Sequence, residues 1–274
     1  MSRDILQEIV AKKTERLHAA EARLSLGELW RRLEEKKPER RPWSILPGQF
    51  GLIAEVKKAS PSKGQIAWGC ALPELVSGYE QGGAGAISVL TEEDFFLGSL
   101  ADLATVRGLT GLPLLRKDFM WTEYQLVESR VHGADAVLLI VAMLSGTALA
   151  ALLQLAGRLE LEVLVECHNR AEVEIALQAG AKMIGINNRD LRTFAVSLQT
   201  TRELAVLIPP TCTLVSESGI KAPEDAATVA QAGANAVLVG ESCVRQGQPA
   251  AHIEALLAAG RRVYSGRLQT GKGE

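Results

Sequence analysis

The recurrence of Gly83-Ala-Gly-Ala-Ile, Gly133-Ala-Asp-Ala-Val, Gly180-Ala-Lys-Met-Ile and Gly233-Ala-Asn-Ala-Val constrains the fold of this chain more than any other feature. Each copy closes a helix-like segment and opens an apolar, β-branched run. Glycine suits that junction because helices commonly end on a residue with positive φ, which glycine adopts without steric cost. The copies lie 50, 47 and 53 residues apart, each interval the length of two strand–helix units. Apolar runs at about 51–57, 85–90, 112–117, 135–141, 161–166, 182–187, 212–216 and 235–239 supply eight strands. Helix-like segments lie between them, for example 73–81, 122–132, 146–158, 170–179, 198–207 and 223–232. Eight alternating units at this spacing predict an α/β protein, a closed (β/α)8 TIM barrel, in preference to an open doubly wound sheet. No GxGxxG follows a strand, as a dinucleotide-binding sheet would require.

A chain of 274 residues holds one such barrel and a small addition. Residues 1–50 read as an N-terminal helical extension over the barrel mouth. An amphipathic helix runs from about Asp4 to Arg23, and a second from Leu26 to about Lys36, with Ser25 and Glu28 placed as a capping box. Residues 51–262 form the barrel, and 263–274 a polar C-terminal tail. The net charge of -2 provides no field to attract nucleic acid or an anionic membrane. The longest apolar runs, such as Ala134 to Leu144, are too short to span a bilayer. Met1-Ser-Arg-Asp4 lacks the apolar core of a signal peptide. Cys70, Cys167, Cys212 and Cys243 are far apart and form no CxxC pair, so a reducing, cytoplasmic setting without disulfides is expected. The four histidines are scattered, and no metal site is expected.

In a barrel of this kind the chemistry sits where strands end and loops begin. In the first strand Ile53, Glu55 and Lys57 alternate, so all three point the same way, and only Ile53 suits an apolar interior. The third strand ends in Lys117, the fifth in Glu166, and the sixth in Asn187 with Arg189 just beyond. The seventh ends Val215-Ser-Glu-Ser-Gly219, and the eighth is followed by Gly240-Glu-Ser242. A single strand-end lysine is an ordinary surface cation, and a single glutamate an ordinary helix cap. Charges from five strands on one rim must pair with each other or with a ligand, because isolated buried charges are too costly. Lys57 and Lys117 stand two strands apart, roughly 10 Å across the mouth, a gap that holds a small anion. Ser218 and Gly219 after the seventh strand, and Gly240, Glu241 and Ser242 after the eighth, have the glycine and serine chemistry of a phosphate cup. Exposed backbone N–H groups and a short helix starting near Ser242 would face the anion.

With these residues in view, the chain resembles the indole-3-glycerol-phosphate synthase family of tryptophan biosynthesis over nearly its whole length. The resemblance rests on Ile53-Ala-Glu-Val-Lys-Lys-Ala-Ser-Pro-Ser-Lys-Gly64, Ile87-Ser-Val-Leu-Thr-Glu92 with Phe96, Leu115-Arg-Lys-Asp-Phe119 and Gly133-Ala-Asp-Ala-Val-Leu-Leu-Ile140. It continues through Gly185-Ile-Asn-Asn-Arg-Asp-Leu191, Val215-Ser-Glu-Ser-Gly-Ile220 and Leu238-Val-Gly-Glu-Ser242. Trp68-Gly-Cys-Ala71 and Met120-Trp-Thr-Glu123 depart from the family pattern and bear on local loop shape. The resemblance implies the substrate 1-(2-carboxyphenylamino)-1-deoxyribulose 5-phosphate, ring closure with loss of CO2 and water, and no cofactor or metal. It places functional positions at Glu55, Lys57, Ser60, Lys117, Glu166, Asn187, Arg189, Glu217 and Ser218. Phe96 and Phe119, with Pro61, Leu138, Ile140 and Leu191, are the expected pocket for the aromatic ring. Other enzymes of the pathway are possible partners that the residues do not reveal.

The reaction joins an aromatic ring carbon to a ketose carbonyl, which needs a proton delivered to its oxygen. Lys117 is the expected acid, with a pKa lowered by desolvation and a neighbouring cation. Lys57 would hold the substrate carboxylate, Glu166 would serve the later proton steps, and Asn187 would donate to the oxygen that develops charge. Glu55 and Glu217 would orient the lysines. Whether Glu166 or Lys57 protonates the leaving hydroxyl stays open. Phosphoribosylanthranilate isomerase, a barrel with a similar phosphate cup, is disfavoured because the first strand carries no cysteine base. A Schiff-base aldolase using Lys57 or Lys117, or a barrel that binds a sugar phosphate without chemistry, are the other readings.

Overall fold

The β-branched runs form eight strands whose pleats turn alternate side chains into and out of a closed ring. The computed structural model describes residues 5–45, 48–66, 69–245 and 247–270. The strands are β1 (Gly51–Val56), β2 (Ala86–Leu90), β3 (Leu114–Lys117), β4 (Ala136–Ile140), β5 (Glu162–Cys167), β6 (Met183–Asn187), β7 (Thr213–Glu217) and β8 (Ala236–Val239). All pair in parallel with their sequence neighbours, and β1 pairs with β8 to close the barrel. Each strand lies within two residues of the bounds expected from the sequence. Interior positions hold one apolar cluster, including Ile53, Leu115, Leu164 and Val215. Outward positions such as Leu52, Ile87, Leu114 and Val165 pack beneath the surrounding helices.

Eleven α-helices are described: α1 (Ile5–Arg23), α2 (Leu26–Lys36), α3 (Leu72–Gln81), α4 (Leu100–Leu109), α5 (Glu123–Val131), α6 (Gly146–Arg158), α7 (Arg170–Gln178), α8 (Gln199–Leu204), α9 (Pro223–Ala232), α10 (Glu241–Arg245) and α11 (Pro249–Thr270). Several begin on side-chain caps that satisfy otherwise orphaned N–H groups: Ser25, Ser99, Thr122, Ser145 and Asn169. Residues 263–270, read from the sequence as part of a polar tail, continue α11 instead. The helix runs on because Tyr264 is buried on its inner face, where its hydroxyl bonds Asn235 and the backbone N–H of Gly48. Residues 271–274, Met1-Ser-Arg-Asp4, Pro47 and Trp68 lie outside the described residues.

The extension touches both ends of the barrel. Ile5, Leu6 and Ile9 of α1 line the cavity at the mouth. The chain then passes down the side, where Trp30 Nε1 donates to Glu123 and Arg130 donates to the carbonyl of Pro38. Residues 41–45 lie at the opposite end. There the backbone N–H of Arg41 donates to Asp135, Ser44 Oγ donates to the carbonyl of Gly85, and Trp43 and Ile45 join the interior cluster. The reading of residues 1–50 as a cover for the mouth therefore describes α1 and not the rest.

Lys13 bolts α1 to the barrel. It is 5% exposed and donates to Asp118 at 2.7 Å and Glu93 at 3.1 Å. Asp118 also accepts from Arg116, a fully buried guanidinium that points outward to Glu128 and Ser129, and from Thr91. Removing one cation from such a network leaves a buried carboxylate short of a partner, at a cost of about 1–3 kcal/mol. Lys13→Met is therefore expected to lower the thermal midpoint by several degrees, at roughly 2–4 °C per kcal/mol for a chain of this size. Differential scanning calorimetry checks this; an unchanged midpoint would show that Arg116 alone suffices for Asp118.

Candidate active site

The strand ends meet in a cavity of about 780 Å³ at the mouth. Every side chain expected from the sequence to act lines it. From β1 come Glu55 and Lys57, with Lys57 Nζ donating to Glu55 Oε2 at 2.5 Å. Lys117, at the end of β3, donates to Glu217 of β7 at 2.7 Å and to Glu166 of β5 at 3.2 Å. Asn187 of β6 donates to the other oxygen of Glu166 at 3.1 Å. The ammonium thus sits between two carboxylates, each less than a twentieth exposed.

Electrostatics follow from that packing. Burial alone would lower the Lys117 ammonium, but Glu217, Glu166 and Glu55 outweigh it and hold its pKa well above the ordinary value. This corrects the sequence expectation of a lowered pKa. Lys57 stands two strands away, while two carboxylates are in direct contact. Burial also pushes Glu166 up, yet Lys117, His168 and Asn187 together hold it well below the usual carboxylate range. Glu217 goes the other way. Burial and the charges of Glu166 and Glu55 outweigh Lys117, and its carboxyl is pushed up to about 7.

Two glycines make room for these acids. A Cβ on Gly185 of β6 would collide with the Glu217 carboxylate, and one on Gly240 with that of Glu55. In a barrel whose interior is filled by side chains, a missing methyl on one strand is what lets a carboxylate lie flat on its neighbour.

Loops complete the walls. After β1 a short hairpin, Ala59–Ser60 with Gly64–Gln65, carries Ser60 and Pro61 to the mouth. Its base is pinned by Lys58, which bonds both oxygens of Asp102. After β2 the buried Glu92 accepts the backbone N–H groups of Asp94, Phe95 and Phe96 and so shapes the turn that presents Phe96. The rings of Phe96 and Phe119 are 6.1 Å apart, and Leu138, Ile140 and Leu191 extend this apolar wall.

On the β7–β8 side lie Ser218, Gly219, Gly240, Glu241 and Ser242. Ser218 has φ 62 and Gly219 φ 87. The left-handed serine is held by Asn188, whose buried amide donates to the carbonyls of Glu217 and Ser218 and to Ser216 Oγ, while its oxygen accepts from Thr201. Ser242 Oγ donates to the carbonyl of Ile220, tying the two loops together. Ser242 also lines the cavity. Arg189 lines the cavity next to Asn187, whose side-chain oxygen accepts the Arg189 backbone N–H.

Sequence reasoning passed over His168, Asn188, Lys13 and Gly185, and read Gly240 as part of the phosphate cup without its second role as room for Glu55. For His168 the signal was present: it stands two residues after Glu166, the same alternation that linked Glu55 to Lys57. The role of Gly185 depends on which strand faces it and could not be read from one chain segment.

Gly185→Ala and Gly240→Ala are expected to leave the fold intact while reducing kcat/KM by about 10²-fold through displaced carboxylates. Gly157→Ala, at a helical position with open space around it, should stabilise by about 0.5–1 kcal/mol and leave activity alone. Equal activity in all three would remove the glycine hollows from the account.

Comparison with known proteins follows the same direction. The sequence model of a family described as indole-3-glycerol phosphate synthase matches residues 6–256. An indole-3-glycerol phosphate synthase of Carboxydothermus hydrogenoformans is 44% identical over 262 residues, covering 92% of this chain and 99% of the relative. One from Dehalococcoides mccartyi is 51% identical over 212 residues, covering 76% and 82%. Among solved structures, 3-hexulose-6-phosphate synthase from Salmonella typhimurium superposes with a TM-score of 0.62 at 13% identity, covering 78% of this chain and 99% of that one; this likeness concerns the fold alone.

Proposed function

The chain belongs to the indole-3-glycerol phosphate synthase family, and from that premise we propose how the side chains at its barrel mouth divide the work. Its reaction is the family's: decarboxylating and dehydrating ring closure of 1-(2-carboxyphenylamino)-1-deoxyribulose 5-phosphate to indole-3-glycerol phosphate.

The observation that carries the proposal is the Lys117 ammonium held between Glu166 and Glu217. An ammonium stabilised this well yields its proton only to an oxygen more basic than itself. A ketone oxygen becomes one as the carbon–carbon bond forms and negative charge builds on it. Lys117 therefore steadies the developing oxyanion and protonates it in the same event. Loss of CO2 restores the aromatic ring. The hydroxyl then takes a proton from the Lys57 ammonium, which the departed carboxylate has released, and leaves as water; the cationic centre left behind makes the neighbouring carbon acidic enough to surrender a proton to a weak base. Glu166, kept ionised, takes it. Lys57 receives the substrate carboxylate, and its partner Glu55 holds the ammonium in place meanwhile. The aromatic ring lies along Phe96, Phe119, Leu138 and Ile140, with Pro61 and Leu191 at its edge.

The phosphate is assigned to the β7–β8 side. Backbone amides around Ser218, Gly219, Gly240 and Glu241, with Arg189 and Ser60 nearby, supply donors and positive charge. Ser242 serves by joining the two loops. A cytoplasmic setting fits the four cysteines, which are all free thiols. No described helix is long and apolar enough to cross a membrane.

The test is to supply the carboxyphenylamino substrate and follow indole fluorescence and CO2. Lys117→Met should retain the fold and substrate binding while turnover falls by about 10² or more; near-normal turnover would remove Lys117 as the acid. A pH profile tests the electrostatics separately. Glu217→Gln takes away a counter-charge that raises Lys117, so the lysine pKa falls. Lys117 acts in its protonated form, and the basic limb of kcat/KM should therefore move to lower pH. A basic limb that stays put would break the link between Glu217 and the acid.

A further inference from the structure

Glu166 is gripped from outside the cavity as well as from within it. His168, two residues further along, places Nε2 at 3.2 Å from Glu166 Oε1, within ion-pair distance though off the hydrogen-bond axis. Its other nitrogen, Nδ1, lies 3.0 Å from Glu172 Oε2. Glu172 is itself fixed. It accepts the backbone N–H of His168 at 2.8 Å and the amide of Asn169 at 2.6 Å, and its own N–H returns to Asn169 at the start of α7. A ring with a carboxylate at each nitrogen is held in the cationic form. Burial would lower His168, but the Glu166 and Glu172 carboxylates against its two nitrogens push it up to about 10. His168 is not among the residues that line the cavity.

We propose that His168 is a positioning residue for the ring closure, a fixed cation that keeps the Glu166 carboxylate ionised and aimed into the cavity, with Glu172 as its anchor. The proposal rests on the assignment of Glu166 as the base. The charges around the pair support it. Glu166 meets Lys117 from β3, Asn187 from β6 and, through Lys117, Glu217 from β7. Cys167 is the adjacent titratable group on β5 itself, and burial pushes its thiol up. β4 and the turn Val141–Met143 bring no titratable side chain. The one charged residue of α6, Arg158, is at its far end, and Arg170 and Glu174 of α7 face each other at 3.9 Å on the surface. Lys117 alone cannot fix Glu166, because it is shared with Glu217 and must move its proton during turnover. A second cation that does not touch substrate keeps the carboxylate in place while that happens.

The experiment uses the full chain and three variants, His168→Asn, His168→Gln and Glu172→Gln, with Glu166→Gln as reference. Turnover is followed by indole fluorescence, stability by calorimetry, and the side-chain carboxyl resonance of Glu166 by NMR on isotope-labelled protein, assigned by its absence in Glu166→Gln. His168→Asn should lower kcat about tenfold or more with KM changed less than about twofold. In it the Glu166 carboxyl should titrate about one pH unit higher, because an opposite charge in contact has gone. His168→Gln, which keeps a donor near the Nε2 position without the charge, should recover part of kcat but not the titration. Glu172→Gln should move the titration in the same direction. An unchanged kcat and titration in His168→Asn overturns the proposal. So does a loss of kcat that tracks a lowered thermal midpoint while the Glu166 titration stays where it was. If Glu166→Gln retains turnover, the assignment of the base fails; if it is inactive while His168→Asn behaves like the unaltered protein, only the role of His168 fails.

Discussion

A buried ammonium needs negative charge against it, and the Lys117 side chain finds it on two sides. Around that pairing the upper half of the barrel is arranged. In β1, β3, β5 and β7 the interior changes from an apolar floor, Ile53, Leu115, Leu164 and Val215, to a charged upper layer, Glu55, Lys117, Glu166 and Glu217, at the next inward-facing position two residues along. Such a layer persists because its members satisfy one another: Glu217 and Glu166 on Lys117, Asn187 and His168 on Glu166, Glu55 on Lys57. Breaking a buried pair by deleting one partner is strongly destabilising, which ties the chemistry of the site to its architecture. The same charges are then available to substrate without prior rearrangement, a condition for effective electrostatic stabilisation of a developing oxyanion.

The loops add shape where the strands supply charge. Glu92 folds the turn that carries Phe96, and Asn188 holds Ser218 in a left-handed conformation that a serine adopts only under constraint. Both are buried polar side chains spent on backbone groups, and neither touches the place where bonds change. Precision at the reacting atoms is thus inherited from residues one layer out, on rigid strand ends and their immediate turns.

Much of this was legible in the sequence because the relevant periods are short. Alternation along a strand puts Glu55 beside Lys57, and the glycine-alanine recurrence marks each return of the chain to the sheet, so the strands and the cast of charged residues emerge from spacing alone. What spacing does not report is distance across the ring. Lys117 was expected to be a weakened cation because another lysine lay two strands off; the closer carboxylates of Glu166 and Glu217, from strands 49 and 100 positions downstream, reverse the sign. The hollow at Gly185 exists only relative to a side chain on the adjoining strand. Ser242 has suitable chemistry for an anion, and its tie to a carbonyl in the preceding loop is a second role that spacing does not show. Likewise, the polar composition of residues 263–270 concealed a helix secured by the burial of Tyr264.

The path of the extension has a bearing on how the molecule assembles. Residues 5–45 leave the ribosome before the barrel strands, yet their partners come later: Lys13 awaits Asp118, Arg41 awaits Asp135, and Trp43 belongs to a cluster that includes Ala236 in the last strand. The stopper at the floor therefore has no complete docking surface until the final strand joins the ring, whereas the polar partners of α1 are in place once the third strand has formed. The seating of Trp43 marks ring closure, and its buried indole is a built-in optical reporter of that event.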